Sequence, residues 1–405
     1  MNQTLIQSKD KLWTQSFVSA CIGNFLLFFA FYLLVPIFPL YLIEEFQTSK
    51  SLIGIILSSY TLAALLIRPF AGFVLDMINR KPLYLIAYLL FVITFVGYPL
   101  ANLISIFLFI RVLHGFTFGF VTTAGNSLIV DIMPASRRGE GLGYFGVANN
   151  LAMAIGPMTS LLMHDYYSYN TIFYLAIVSG LLGFIFAATI KSKSMVDRTI
   201  KQPMAFDRFF LFQGFNAGLC LLLMGIPYGM VVTYVALFGK ELGIHSGVGI
   251  FFTLMAVGLT GSRLVGGKMV DKGKLVQVVI YGTAFCLVAF LGLVALQQII
   301  HFPMLVVVLF YTISLLLGIG YGLIFPAYNT LFVNLAPNNR RATASSTYMT
   351  SWDIGIGIGL IVGGRLADST GGLPLAYLAG AMAVAFSLIF FWKVAGPHFE
   401  RNKLR

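Results

Sequence analysis

Apolar residues fill this chain in long stretches, and polar residues gather in the short gaps between them. A spanning helix needs about 20 mainly apolar residues. Twelve stretches reach that length, at roughly 17–43, 50–75, 82–101, 103–131, 140–163, 171–190, 209–239, 246–270, 275–299, 303–334, 342–366 and 374–396. Several exceed 25 residues, which predicts tilt or kinks. Pro36 and Pro39 are expected to bend the first span. The longest polar break, about 191–208, holds Lys191, Lys193, Arg198, Lys201 and Arg208 and parts six spans from six. The expected fold is an all-α integral membrane protein of 12 transmembrane helices. Residues 1–190 and 209–405 each form a six-helix bundle, joined by a linker at 191–208. A β-barrel or a soluble bundle fails on segment length and polarity.

The two halves copy each other. Gly72-Phe73-Val74-Leu75-Asp76 continues to Arg80-Lys81, and Gly267-Lys268-Met269-Val270-Asp271 repeats it fainter, 195 residues later. At the same offset Arg68 matches Arg263, Ser51 matches Ser246 and Gly54 matches Gly249. A second block repeats at an offset of 203: Gly115 with Gly318, Gly119 with Gly322, Asn126 with Asn329, and Arg137-Arg138 with Arg340-Arg341. Internal duplication in an apolar chain points to two pseudo-symmetric bundles with a binding site between them, the architecture of secondary transporters.

Composition agrees. Hydrophobic residues make up 59% of the chain and charged residues 10%, against about 25% charged in soluble domains, so lipid is the expected solvent. The net charge of +12 does not imply nucleic acid, because the basic residues sit scattered in short loops. The two termini and the even-numbered connections hold 20 of the 26 Lys and Arg residues, whereas Lys50, Lys240 and Arg365 alone mark the opposite face. This bias places both ends in the cytoplasm. A bacterial inner membrane is the expected location. Cys21, Cys220 and Cys286 show no metal or disulfide spacing. The chain lacks a zinc-protease helix motif, a nucleophile elbow and a phosphate-cradling Gly-Lys-Ser loop. An enzyme is therefore not expected, nor any cofactor. Energy would come from a proton or substrate gradient.

In the loop after the second span, Gly72 permits close helix approach, and Asp76 sits beside Arg80 and Lys81. Together with Arg68, and with Arg263 and Asp271 in the copy, these are expected to form a cytoplasmic gate of making and breaking charge pairs. Simple topology, basic loop residues and a cap, is the plainer reading.

These motifs resemble the major facilitator superfamily over essentially the full length. Gly72 to Lys81 resembles its signature loop. Arg111-Val112-Leu113-His114-Gly115 resembles its fourth-helix motif, Arg-x-x-Gln-Gly, with His114 in place of Gln. Pro36-Ile37-Phe38-Pro39 is similar to the first helix of the drug:proton antiporter branch, and Gly146 through Gly156-Pro157 to its fifth-helix antiporter motif. In that last match Ala152 replaces a glycine, and Ser160-Leu161 replace a glycine pair. The resemblance implies two bundles, a central cavity lined by spans 1, 4, 7 and 10, rocking alternating access, and a monomer. On those spans Asn24, Tyr32, Asn126, Gln213, Asn216, Tyr228 and Asn329 become cavity candidates, with Asn149, Asn150 and Trp352 on neighbouring spans. Helix-to-helix hydrogen bonding is the alternative for each amide.

Of the 14 acidic residues only Asp353 falls deep within a span; its counterpart at the 203 offset is Asn150. Burying an ionised carboxylate costs several kcal/mol, about as much as binding a proton can relieve. Asp353 is therefore a candidate for proton coupling, or else a fixed hydrogen-bonded acid. Arg111 and His114 lie one turn apart on one face. The resemblance implies that Arg111 steadies a nearby carboxylate; His114 is a candidate relay or a structural residue, neutral beside Arg111. The leading expectation is proton-coupled efflux of small amphipathic or hydrophobic molecules, partnered by protons, membrane lipid and a small-molecule substrate. The alternative is a proton symporter or uniporter importing a sugar or organic acid.

Overall fold

In the first span, Pro36 has no N–H to give the helix, so the chain leaves α1 (Gln15–Leu34) and restarts as α2 (Ile37–Glu44). The bend expected there is present. This computed structural model describes residues 11–134, 137–192, 211–244, 246–337 and 340–404. The expected linker lies outside the described residues, apart from Lys191 and Ser192.

The other spans follow as α3 (Lys50–Met77), α4 (Arg80–Gly97), α5 (Ile104–Ile132), α6 (Arg138–His164), α7 (Tyr169–Thr189), α8 (Phe215–Glu241), α9 (Gly249–Asp271), α10 (Leu275–Leu296), α11 (Pro303–Leu335), α12 (Arg341–Ala367) and α13 (Gly372–Phe390). A π turn at Phe391–Ala395 leads into α14 (Gly396–Asn402). Pro397 withholds a donor there, which suits the wider turn. The eighth span begins at Gly249 rather than 246, because Gly247 holds φ +79°, a left-handed turn that no helix accommodates. The protein is thus an all-α, multi-pass membrane protein of twelve spans.

Ten spans are long and apolar enough to cross a membrane on length and composition, and α6 and α12 stand outside that group. Their position explains it. The helix α12 packs on α3, and α6 on α9, so these two helices join the first half of the chain to the second. Helices between the halves need less apolar surface than helices facing lipid. The helix α2 also touches α8 across the halves, and the other large contacts stay within a half: α1 with α6 and α7, α5 with α3 and α4, α8 with α12 and α13, α11 with α9 and α10.

Small residues set the close approaches. Gly115 and Gly119 of α5 press on Tyr60 and Ala64 of α3; their copies Gly318 and Gly322 of α11 press on Met255 and Leu259 of α9. On α12 a Cβ at Gly359 would sit 2.8 Å from the carbonyl carbon and 3.0 Å from the Cα of Ile226 on α8. Backbone cannot yield as a side chain can. Gly359→Leu is therefore expected to cost about 1–3 kcal/mol, read as a lower melting temperature of the detergent-solubilised protein. An unchanged melting curve would show that α8 and α12 part easily.

Helices alternate in direction. One end of the molecule carries both described termini and the α3–α4, α5–α6, α9–α10 and α11–α12 turns, and is called the terminal end. The opposite, far end carries the connections after α2, α4, α6, α8, α10 and α12.

Candidate functional site

Asp353 lies twelve residues into α12, about 18 Å from its start at 1.5 Å per residue. There it meets Arg68, whose Nη1 donates to its Oδ2. The pair bridges α3 and α12, and therefore the two halves of the chain. It is partly shielded, with side-chain exposures of 24% for Arg68 and 17% for Asp353.

This regroups the expected gate. Arg68 and Asp76 are eight residues apart on one helix, about 12 Å along its axis, as are Arg263 and Asp271. Neither arginine belongs to the loop network. At the terminal end Arg80 instead gives Nη1 to Asp131 of α5 at 2.7 Å. Lys81 begins α4 beside it, half-buried, and Asp271 is exposed. The side chain of Asp76 lies outside the described residues. Gly72 has open space where a Cβ would be, so it makes no close helix approach here.

Arg111 is not at Asp353 either. It is 5% exposed, its guanidinium 4.8 Å from the Phe38 ring centre and 4.5 Å from that of Tyr60. Burial between two rings offsets part of its desolvation. His114 is fully buried one turn away. Its Nδ1 pairs with the Tyr98 hydroxyl at 2.7 Å, and the rings of Phe91, Phe95 and Tyr60 stand 5.0, 5.0 and 5.2 Å off. Nε2 has no partner among the described residues. A histidine so enclosed serves packing in this state rather than an open proton path.

Between the halves lies an aromatic group. Trp352, next to Asp353, stands 4.8 Å from both Tyr228 and Phe325, and Tyr228 is 5.0 Å from Tyr321. Across the interface the Tyr228 hydroxyl reaches Met153 Sδ at 3.5 Å. Tyr32 of the first half lies within electrostatic range of Tyr228 and of Arg263. Of the expected cavity residues, Tyr32, Tyr228 and Trp352 are therefore brought together.

The amides disperse. Asn24 Nδ2 donates to the Phe145 carbonyl at 3.3 Å, fastening α1 to α6. Asn126 and Asn329 are exposed at matched depths, two turns from the ends of α5 and α11. Asn149 and Asn150 are half-buried on α6, and Asn149 Oδ1 has no partner among the described residues. Gln213 is exposed in a single turn before α8, and Asn216 lines a surface recess with Lys393 and Arg401 of the last span. Both lie at the terminal end of the seventh span, so these two do not line the centre. Gly156 seats α6 on α1, its Cβ position 2.8 Å from Tyr32 Cβ, with Pro157 following inside the helix. Gly146 faces open space.

Sequence reasoning missed the far end. There Lys50 Nζ pairs with Glu241 at 2.5 Å, and Lys240 Nζ with Glu44 at 2.9 Å. Asp368 accepts the backbone N–H of Lys50 at 2.9 Å and of Ser51 at 2.7 Å. A carboxylate from the second half thus covers the N-terminus of α3 in the first, where the helix dipole favours an anion. Partial burial raises the pKa of Asp368, but the Ser51 and Lys50 hydrogen bonds and the Lys50 charge outweigh it and hold the carboxyl below its usual range. Close backbone contact completes the seam: a Cβ at Gly54 would lie 3.0 Å from the Leu360 carbonyl carbon, and one at Gly249 3.0 Å from Met158 Cα. Toward the terminal end, by contrast, Gly143 and Gly146 of α6 and Gly261 and Gly267 of α9 all face open space. The halves meet tightly at the far end, whereas these glycines toward the other end touch nothing.

A duplicated twelve-helix fold, sealed at one end and crossed at mid-depth by an ion pair, has clear relatives. The profile of the Major Facilitator Superfamily matches residues 20–360, and the chain belongs to that family of transporters. Curated relatives include one protein named for export and two named for multidrug resistance. The staphylopine export protein of Staphylococcus aureus is 21% identical over 87% of this chain and 90% of its own length. Multidrug resistance protein MdtG of Escherichia fergusonii is 26% identical over 95% and 96%, and multidrug resistance protein 1 of Bacillus subtilis 23% over 93% and 96%. Among solved structures, the nucleoside transporter NupG superimposes with a TM-score of 0.76 at 14% identity, over 96% of this chain and all of that one. A D-xylose–proton symporter gives 0.76 at 14%, over 95% and 98%. At that identity the likeness speaks for the fold alone.

Proposed function

We propose that this protein is a proton-coupled exporter of small amphipathic molecules, working by alternating access in a bacterial inner membrane with its terminal end in the cytoplasm. The reading rests above all on the Arg68–Asp353 pair. Asp353 is the one carboxylate deep within a span, and its partner belongs to the other half. Protonation of Asp353 would therefore act directly on a contact between the moving parts. A proton taken from outside neutralises Asp353, frees Arg68 and lets α3 and α12 shift. Release of that proton inside re-forms the pair and resets the cycle. The terminal end carries most of the Lys and Arg, which supports its cytoplasmic placement. One curated relative named for export and two named for multidrug resistance support the direction.

Direction is tested in membrane vesicles under an imposed pH gradient. Inverted vesicles, acid inside, are expected to accumulate an amphipathic dye at least fivefold over vesicles lacking the protein, and a protonophore should abolish this. Accumulation only in right-side-out vesicles would turn the reading to import.

A further inference from the structure

Three arginines lie inside spans, against one deep carboxylate. Arg68 holds that carboxylate. Arg111 is enclosed between two rings within the first half. Arg263 is left over. Its Nε is shielded and has no hydrogen-bond partner among the described residues. Among the described residues the groups within its electrostatic range are the hydroxyls of Tyr348, Tyr228 and Tyr32, none of them a carboxylate. A half-buried guanidinium without an anion is costly to keep, and this one lies within electrostatic range of Tyr32 of the first half and of Tyr228 of the second, whose ring stands 4.8 Å from Trp352. Gly267, one turn along the same face of α9, opens on empty space toward the terminal end. A charge, an apolar surface and an open approach therefore meet at one place.

We propose that Arg263 is the anchor for a carboxylate on the substrate, whose apolar body lies against Trp352, Tyr228 and Phe325. This rests on the reading above that the centre is the substrate site of an exporter, and it names the substrate class: amphipathic organic anions rather than lipophilic cations. Guanidinium and carboxylate match as two parallel N–H···O bonds. Tyr32 comes from the first half and Tyr228 from the second, so an anion held among them would touch both. Among the described residues the Tyr228 hydroxyl hydrogen-bonds a thioether alone, a weak acceptor, and can turn to a carboxylate at small cost.

The test compares three probes with one naphthalene body: 1-naphthaleneacetate, its neutral amide 1-naphthaleneacetamide, and the cation 1-naphthylmethylamine. Binding to the full-length protein in nanodiscs is read by calorimetry and by Trp352 fluorescence, with Trp13 and Trp392 replaced by Phe. The acetate is expected to bind at least tenfold tighter than the amide or the amine. Arg263→Gln should remove that preference while leaving amide binding within about twofold, and Arg263→Lys should keep part of it. If Arg263→Gln does not fold, the wild-type charge order and Arg263→Lys decide. Equal or tighter binding of the amine, no binding of any probe, or a preference that survives Arg263→Gln would overturn the proposal. Binding is measured at equilibrium without a gradient. A failure of proton-driven export in vesicles would therefore leave this result standing, and the converse also holds.

Discussion

Asp353→Asn is expected to cut protonophore-sensitive efflux by more than tenfold while sparing the fold. Asparagine keeps an oxygen for Arg68 and the side-chain volume, so packing at the α3–α12 seam is preserved. It cannot carry a proton, so the contact between the halves no longer responds to one. Substrate exchange down its own gradient should persist in proteoliposomes, whereas uphill movement driven by a pH gradient should stop. Arg68→Gln makes a different prediction at the same place. It leaves a partly buried carboxylate without its cation, and removing one member of a buried pair costs about 3–5 kcal/mol. Asp353 then escapes that cost by staying protonated. Arg68→Gln should therefore also lose uphill transport, and the double variant Arg68→Gln, Asp353→Asn should regain stability without regaining coupling. If Asp353→Asn drives substrate uphill at the wild-type rate, the coupling group lies elsewhere and His114 becomes the next candidate.

Much of this arrangement was legible in the sequence, for physical reasons that also mark where legibility stops. Bilayer thickness dictates span length, so the twelve stretches read from apolar runs recur, with ends shifted by up to about six residues. Small residues one turn apart suit tight helix packing in lipid, and the glycine pairs at Gly115, Gly119, Gly318 and Gly322 do pack tightly. Asp353 stood out because its depth is a matter of counting. Its partner did not, since 285 residues separate Arg68 from it and helix tilt alone brings them together. Counting along α3 does show that Arg68 is too deep to belong with Asp76; the repeat pattern drew the eye to the pair instead. At the far end, Lys50 and Lys240 were read as the few charges on the less basic face. Their acids were in plain view at the ends of neighbouring spans, Glu44, Glu241 and Asp368, but orientation arguments count cations and pass over pairing. The amides misled most. Asn24, Gln213 and Asn216 share spans with the centre, yet one fastens a helix pair and two lie at a helix start.

Loss of the far-end seam should open the molecule on that side. Asp368→Asn removes the charge from two hydrogen bonds to the start of α3. Bonds to a charged acceptor contribute about 1.5–3 kcal/mol, and solvent screening at this exposed position lowers that to about 1–2. The far-open population should then rise about five- to thirtyfold relative to the closed one. Lys240→Gln, which removes the Lys240–Glu44 ion pair, should add to the shift. Spin labels on Tyr166 and Thr370, both exposed and on opposite halves, would report it as a longer distance component. Cys21, Cys220 and Cys286 are replaced by Ser for that measurement. An unchanged distance distribution in the double variant would show that backbone packing at Gly54 and Gly249, not charge, holds this end. The pH dependence separates latch from coupling. The Asp368 carboxyl is held below its ordinary pKa, so its contribution is present above that range and is lost only as pH falls through the lowered value. That window lies below about pH 4. Between about pH 5 and 7 acid outside should leave the Asp368 contact intact, and an opening in that range should come through Asp353 or, at the far end itself, through His164, which lies 3.1 Å from Lys240 Nζ and 3.6 Å from Glu44. Wild type should then lengthen on acidification and Asp353→Asn should not; a shift that persists in Asp353→Asn would assign proton sensing to the far-end charges instead.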